Sequence, residues 1–83
     1  MIAIPENVAL SATEIQELNQ QLATMRHDIN NYVSLMMAAV ELVQRKPEAL
    51  PRMTPTLVDQ PAKIADAVRR FSRTFEARFG IQR

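Results

Sequence analysis

Apolar residues in the first half of the chain repeat with the period of an α-helix. The set follows steps of three and four without a break and comprises Ile15, Leu18, Leu22, Met25, Ile29, Tyr32, Met36, Ala39 and Val43. This spacing places every member on one side of a helix, in the a and d positions of a heptad. Val33, Val40 and Leu42 widen the apolar side. The pattern predicts a long amphipathic helix that packs against more than one neighbour.

The ends of this helix are marked by local signals. The stretch from Ser11 to Glu14 has the form of a capping box, in which the serine oxygen accepts a free amide and the glutamate reaches back. The helix should end at about Lys46, because Pro47 removes a donor and disfavours helical geometry in the residue before it. At about 1.5 Å per residue, such a helix is roughly 50 Å long and needs an extended helical neighbour.

A second apolar set in the second half of the chain supplies that neighbour. Its members are Leu57, Pro61, Ile64, Val68, Phe71, Phe75 and Phe79. Thr54 and Pro55 are typical of an N-cap followed by proline at the first helical position, and Gly80 is placed to end the helix. Because Pro61 lacks an amide, we expect a kink or a break near residues 59–61, where Asp59 could start the helix again.

The connection between the two helices is too short for a parallel return, so the fold class is predicted to be all-α, a long antiparallel two-helix hairpin. One hairpin cannot cover both apolar sides, and two copies related by a twofold axis would form a four-helix bundle. The expected divisions are a lead-in at 1–10, a hairpin at 11–80 with helices at about 11–46 and 55–79 and a turn at about 47–54, and a tail at 81–83.

Charge and composition exclude several classes of function. The net charge of +1 gives no reason to expect nucleic acid or a membrane as a partner. Arg69, Arg70, Arg73 and Arg78 are expected to form a solvated helix face. The chain has no cysteine, hence no disulfide, thiol nucleophile or thiolate metal site. It also lacks an apolar run of about 18 residues, and a cytoplasmic location is the default expectation.

His27 is the only histidine of the chain. The next residue is an acid, Asp28, and the residue four positions after His27, one helical turn away, is an amide, Asn31. We call residues 27–31 the histidine box. In the heptad register above, His27 falls at position f and points away from the apolar side. This arrangement favours solvent-side chemistry over packing. A metal site at His27 and Asp28 is not expected, because adjacent helical residues diverge by about 100°.

From about Leu22 to Phe75 the chain resembles the dimerisation and histidine-phosphotransfer hairpin of the sensor histidine kinases of two-component signalling. The resemblance is carried by a box of the form H-[ED]-x-x-[TN] in mid-helix, here His27-Asp28-Ile29-Asn30-Asn31, and by the ending Arg70-Phe71-Ser72-Arg73. A proline that follows the box in one variant of the family is replaced by Tyr32. About two-thirds of the chain is covered.

The resemblance implies a role for three residues. His27 would be the phosphoacceptor, Asp28 would orient the imidazole or take its proton, and Asn31 would position a water for phosphatase attack on a partner's phosphoaspartate. The implied partners are a second copy of the chain, a response-regulator receiver domain and a histidine-kinase ATPase domain, either separate or adjoining. Mg²⁺ and ATP would enter only through a partner domain, and the hairpin would hold no cofactor of its own.

Two questions stay open at the level of sequence. With one glycine in all, the chain offers no glycine-rich nucleotide site, so it is expected to be either a fragment of a longer kinase or a stand-alone phosphotransfer hairpin rather than a self-sufficient kinase. The alternative function is a non-catalytic helical dimer that docks on a kinase or a response regulator and regulates it. The exposed side of the histidine box would then be a docking surface.

Overall fold

The computed structural model describes residues 7–81, which form two α-helices and one short turn. Helix α1 spans Ala12–Arg45, a 3₁₀ turn spans Pro47–Ala49, and helix α2 spans Leu50–Phe79. The helices are antiparallel, and the start of α1 lies beside the end of α2. There a guanidinium nitrogen of Arg78 donates to Oε2 of Glu17 at 2.9 Å. The prediction of an all-α antiparallel hairpin is confirmed. Residues 1–6 of the expected lead-in and 82–83 of the expected tail lie outside the described residues.

The start of α1 is fixed by the capping box that the sequence indicates. The backbone amide of Glu14 donates to Oγ of Ser11 at 3.1 Å, and the amide of Ser11 donates to Oε1 of Glu14 at 3.2 Å. Two of the amides that a helix start leaves without a partner are thereby satisfied. The predicted bounds of the first helix agree with the structure to within one residue.

Replacing Ser11 with alanine should lower the stability of the hairpin by about 1 kcal/mol, since the cap oxygen is lost while the helix stays intact. For a domain of this size, the loss corresponds to a fall in melting temperature of about 4–8 °C. Thermal circular dichroism at one fixed protein concentration measures it. Thr13→Ala, at a position whose side chain makes neither of the two capping hydrogen bonds, is the matched control, and equal melting temperatures for the two variants would contradict the capping role.

Helix α2 begins earlier than predicted. It starts at Leu50 rather than at about 55, and the turn is three residues long. Pro51 takes one of the first two helical positions, where its missing amide costs no hydrogen bond. Thr54, predicted to be the N-cap, lies within the helix and its hydroxyl donates to the carbonyl of Leu50 at 2.7 Å. The proline earlier in the chain therefore sets the start of the helix.

The expected break near residues 59–61 is wrong. Helix α2 runs without interruption through Pro55 and Pro61, and Asp59 does not begin a new helix. Packing of Leu57 and Ile64, which are both half-buried, holds the helix on each side of Pro61. The contact with α1 thus compensates for the hydrogen bond that the proline removes. A bend at this point stays a prediction.

The end of α2 agrees with the sequence. Gly80 adopts the left-handed conformation with φ 66° and ψ 27°. The amide of Ile81 then donates to the carbonyl of Glu76 at 2.8 Å, and that of Gly80 to Ala77 at 3.4 Å. Glycine is needed here because a β-carbon disfavours this backbone conformation.

The α2 residues that face α1 are not all members of the apolar set predicted for this helix. Every second member of that set is exposed, and the residue before it in the chain is less exposed. Gln60 and Ala67 are buried, whereas Val68 and Phe75 are 42% and 38% exposed. We call Pro61, Val68 and Phe75 the outer row of α2. It lies one residue, or about 100°, around the helix from the buried positions. The small side chain of Ala67 brings the helices together and leaves the larger apolar side chains beside the contact.

A single hairpin has a very small core. Among the described residues, the buried apolar side chains are Leu18, Ala39, Ala49 and Ala67. No large side chain among them is fully buried. On α1 most of the predicted seam is half-buried, but Ile15 is 54% exposed. The hairpin thus covers each apolar helix side only in part.

Apolar side chains are also exposed on α1 after the histidine box. A shallow surface depression of about 260 Å³ is lined by Val33, Met36, Met37, Val40 and Glu41. We call the first four of these residues the apolar stripe. Its members Met37 and Val40 are 58% and 43% exposed. Within residues 7–81, no helix combines the length and the apolar character needed to cross a membrane.

Candidate functional site

The histidine box lies near the middle of α1, and its members His27 and Asn31 are on the side turned away from the small core. His27 and Asn31 are both exposed, and within residues 7–81 neither has a hydrogen-bond or ion-pair partner. One helical turn separates them, so their side chains stand beside each other on one face. Both ring nitrogens of His27 are therefore available to a reagent or a partner that arrives from solvent.

Asp28 is placed differently from its two neighbours in the box. It is half-buried and lines a groove of about 240 Å³ between the helices, which we call the inter-helix groove. The lining residues are Gln21, Thr24, Met25 and Asp28 on α1 and Ala67, Arg70, Phe71 and Thr74 on α2. The floor of this groove is apolar and its rim is polar. The box thus joins an exposed imidazole to a carboxylate that faces the second helix.

One cation shares the inter-helix groove with Asp28. The guanidinium of Arg70 approaches Oδ2 of Asp66, one turn earlier on its own helix, at 3.6 Å. The two side chains of this pair are 62% and 58% exposed, so the contact is weak and open to exchange. The hydroxyl of Thr74 is already engaged, because it donates to the carbonyl of Arg70 at 3.2 Å.

Helix α1 stays regular through two adjacent asparagines, which are poor helix formers. Ile29 and Tyr32 flank this pair and are half-buried. The hydroxyl of Ser34 donates to the carbonyl of Asn30 at 2.9 Å. Packing on one side of the helix therefore holds the polar box in helical geometry on the other.

Comparisons with known proteins found no matching family, no matching curated protein and no matching solved structure. Residues 7–81 contain no group of three or more histidine, cysteine, aspartate or glutamate side chains that could hold a metal ion. The function of this chain is accordingly inferred from the residues of the histidine box and the inter-helix groove.

Reasoning from the sequence missed the placement of two arginines. Arg70 lines the inter-helix groove and Arg78 contacts Glu14 at 3.7 Å and Glu17 at 2.9 Å, so neither belongs to a uniformly solvated face. For Arg78 the signal in the sequence was the pair of acids, Glu14 and Glu17, near the start of α1, because an antiparallel hairpin brings the start of the first helix beside the end of the second. Predicting these contacts requires the correct start of α2, and the sequence-based prediction placed that start too late.

Because His27 is exposed and has no partner in the described part of the chain, replacing it with alanine should change the stability of the folded protein by less than about 0.5 kcal/mol. Thermal unfolding followed by circular dichroism measures the effect. Leu18→Ala, which truncates a buried side chain on the same helix, is the positive control and should cost at least about 2 kcal/mol. A loss of comparable size for His27→Ala would give the histidine a structural role.

Proposed function

We propose that this chain is a histidine phosphoacceptor and dimerisation module of two-component signalling. It would exchange a phosphoryl group between a partner kinase or ATPase domain and the aspartate of a response-regulator receiver domain. The observation that carries the proposal is the exposed His27, unpartnered in the described residues, with Asp28 beside it and Asn31 one turn away. This geometry favours transfer chemistry because nothing in the hairpin occupies the imidazole.

In the forward reaction, one ring nitrogen of neutral His27 attacks the phosphorus atom of a phosphoryl donor. The new N–P bond forms as the bond from phosphorus to the leaving oxygen breaks, and the leaving oxygen stays with the donor. The other ring nitrogen loses its proton as the ring returns to neutrality, and Asp28 is the adjacent carboxylate that can hold or accept it. Transfer to a receiver aspartate repeats the displacement with the carboxylate oxygen as nucleophile.

Asn31 serves a different step in this proposal. Its amide can donate to and accept from a water, and it stands on the face of His27 where a receiver would approach. A water held there can attack a phosphoaspartate in line with the leaving carboxylate. Charge stabilisation and Mg²⁺ come from the partner, since phosphoryl transfer requires mainly positioning and electrostatics. ATP and receiver domains are cytoplasmic, so we expect the protein to act there.

A second copy of the chain completes the fold in this proposal. The 9.4 kDa chain exposes 6367 Å², whereas a compact monomer of that mass would expose about 5000 Å². The difference of about 1400 Å² reflects the elongated shape of a hairpin with so small a core. A second copy would have to cover roughly 800 Å² of this surface to form an interface of standard size.

The arrangement of apolar residues indicates where the second copy would lie. Half-buried residues form pairs along the two helices and need a further layer to cover them. By the antiparallel register, the half-buried residues expected to lie level with each other are Leu22 with Phe71, Ile29 with Ile64, and Met36 with Leu57. On α1 the apolar stripe shares Met36 with this row and extends it to Val33, Met37 and Val40, and on α2 the outer row lies beside it. A twofold axis along the hairpin would bury all of these rows in a four-helix bundle.

Dimerisation of this kind leaves the histidine box accessible. By helical periodicity, Val33, Met36 and Val40 lie about 120–180° around α1 from His27, and Met37 lies about 80° from it. A second copy that covers the apolar stripe therefore approaches α1 from a different side than the one on which the imidazole stands. Both phosphoacceptors of the dimer would remain open to a kinase or a receiver.

The test is reconstitution with partners of known activity. The purified protein is incubated with Mg²⁺, ATP and histidine-kinase catalytic domains, and separately with phosphorylated receiver domains. We expect an acid-labile, base-stable phosphoryl group, detected by ³¹P NMR. If no partner exchanges phosphate while one still binds tightly, the protein is instead a non-catalytic dimer that docks on a kinase or a regulator.

A further inference from the structure

Arg70 contacts one acid on its own helix and shares the inter-helix groove with a second acid on α1. Asp66 is one turn away on α2 and contacts the guanidinium at 3.6 Å. Asp28 lines the same groove from α1, and it has no hydrogen-bond or ion-pair partner among residues 7–81. The carboxylate beside His27 and the cation on the other helix thus share one small space.

The contact that Arg70 makes in this structure is easily given up. Its partner Asp66 and its own side chain are each more than half exposed, and exposed pairs of this kind contribute at most about 1 kcal/mol. The carboxylate of Asp28 is less exposed than that of Asp66, so an ion pair formed with it is less screened by water. Arg70 therefore loses little when it leaves Asp66, and it gains a less screened partner in Asp28.

We propose that Arg70 is a positioning residue that moves from Asp66 to Asp28 and holds the Asp28 carboxylate for its role beside His27. This inference rests on the proposed phosphotransfer function and deepens it. A carboxylate has two oxygens, so one can accept from the guanidinium while the other accepts from the N–H of the imidazole. Arg70 thereby fixes an acid that is otherwise free to rotate.

Charge supplies a second reason for this contact. A phosphoryl group on His27 places two negative charges near Asp28, and like charges at short range repel. A guanidinium on Asp28 offsets that repulsion without a proton transfer, because arginine stays charged at every physiological pH. The contact links α2, which carries no member of the histidine box, to the reacting group on α1.

The kinetic test compares rates of phosphoryl uptake on His27 at saturating donor, so that donor docking does not contribute. Arg70→Ala should slow uptake about two- to fivefold, which is the range that a partly exposed ion pair can supply. Arg70→Lys should restore part of the rate because it keeps the charge but not the planar fork. Asp66→Asn should raise the rate, since it releases Arg70 to Asp28.

Two controls separate this role from a structural one. Arg69→Ala removes an exposed charge next to Arg70 that does not line the groove, and it should leave the rate unchanged. In the background of Asp28→Asn, Arg70→Ala should have no further effect, because the group it positions is gone. Equal slowing by Arg70→Ala with and without the Asp28 carboxylate would overturn the inference.

An NMR measurement that does not depend on phosphoryl transfer distinguishes failure of this inference from failure of the proposed function. The ¹⁵N signal of the Arg70 side-chain Nε should shift in Asp66→Asn, and shift again when Asp28→Asn is added. If the second substitution leaves the signal unchanged, the Asp28 contact does not form and the inference is wrong. If the signal responds but no phosphoryl group ever appears on His27, the proposed function fails and the role in transfer fails with it.

Discussion

Replacing His27 with alanine should abolish phosphoryl uptake by the protein, because His27 is the only histidine in the chain and the N–P bond cannot form without it. The oligomeric state and the helix content of the protein should be unaffected. ³¹P NMR and phosphate-release assays after mild acid treatment measure the loss. A variant that still accepted an acid-labile phosphoryl group would place the reaction at another residue and remove the basis of the proposal.

The other two residues of the box supply matched controls for this experiment. Asp28→Asn should slow formation of phosphohistidine by about 10²-fold or more, the lower range for an acid or base in proton transfer. Asn31→Ala should spare phosphohistidine formation and reduce only the dephosphorylation of a receiver. An equal effect of all three substitutions on uptake would indicate a common docking surface instead of separate chemical roles.

Introducing a charge into the half-buried row should unfold and dissociate the protein in one step. Leu22→Asp removes a side chain worth about 1.5–3 kcal/mol on full burial and adds a carboxylate that the proposed four-helix bundle could not solvate. We expect loss of helical circular dichroism together with a monomeric sedimentation coefficient. Folding and association are coupled in this way because one hairpin has so little core of its own.

The control for this substitution is Gln20→Asp, two residues earlier on the exposed side of α1. It introduces the same residue with the same helix propensity, and it should leave both the oligomeric state and the helix content near the wild-type values. Phe71→Asp on α2 should reproduce the effect of Leu22→Asp. A wild-type protein that sediments as a stable folded monomer would contradict the dimer.

Local signals predicted those parts of the fold in which few residues decide the outcome. The capping box at Ser11 needs only two side chains, and Gly80 needs only its freedom from a β-carbon. The predicted start of α2 was wrong because Pro51 and Pro55 both fit the first turn of a helix. The sequence alone does not show which of the two prolines is used. The choice depends on how tightly the three-residue turn closes the hairpin.

Hydrophobicity alone does not predict which residues of α2 lie against α1. Phenylalanine and valine are more apolar than Gln60 and Ala67, yet the latter two are buried between the helices. Close approach selects small side chains at the contact, and the larger ones are left for a second layer. For the site, exposure of His27 followed from heptad position, whereas the neighbourhood of Asp28 and Arg70 required the register between helices.

The contact of Arg78 with Glu14 and Glu17 has a consequence for the order in which the hairpin assembles. The Arg78 and Glu17 side chains are 61 residues apart in sequence, whereas contacts near Pro47–Ala49 close only short loops. Loop-closure entropy favours the short loops first, so folding should nucleate at the turn and proceed toward the termini. The contact of Arg78 with Glu14 should therefore form last. The same Glu14 carboxylate also accepts from the amide of Ser11, so it connects the first turn of α1 to the end of α2. The two ends of the chain should therefore fray as a unit, and hydrogen exchange should be fastest there and slowest near the turn.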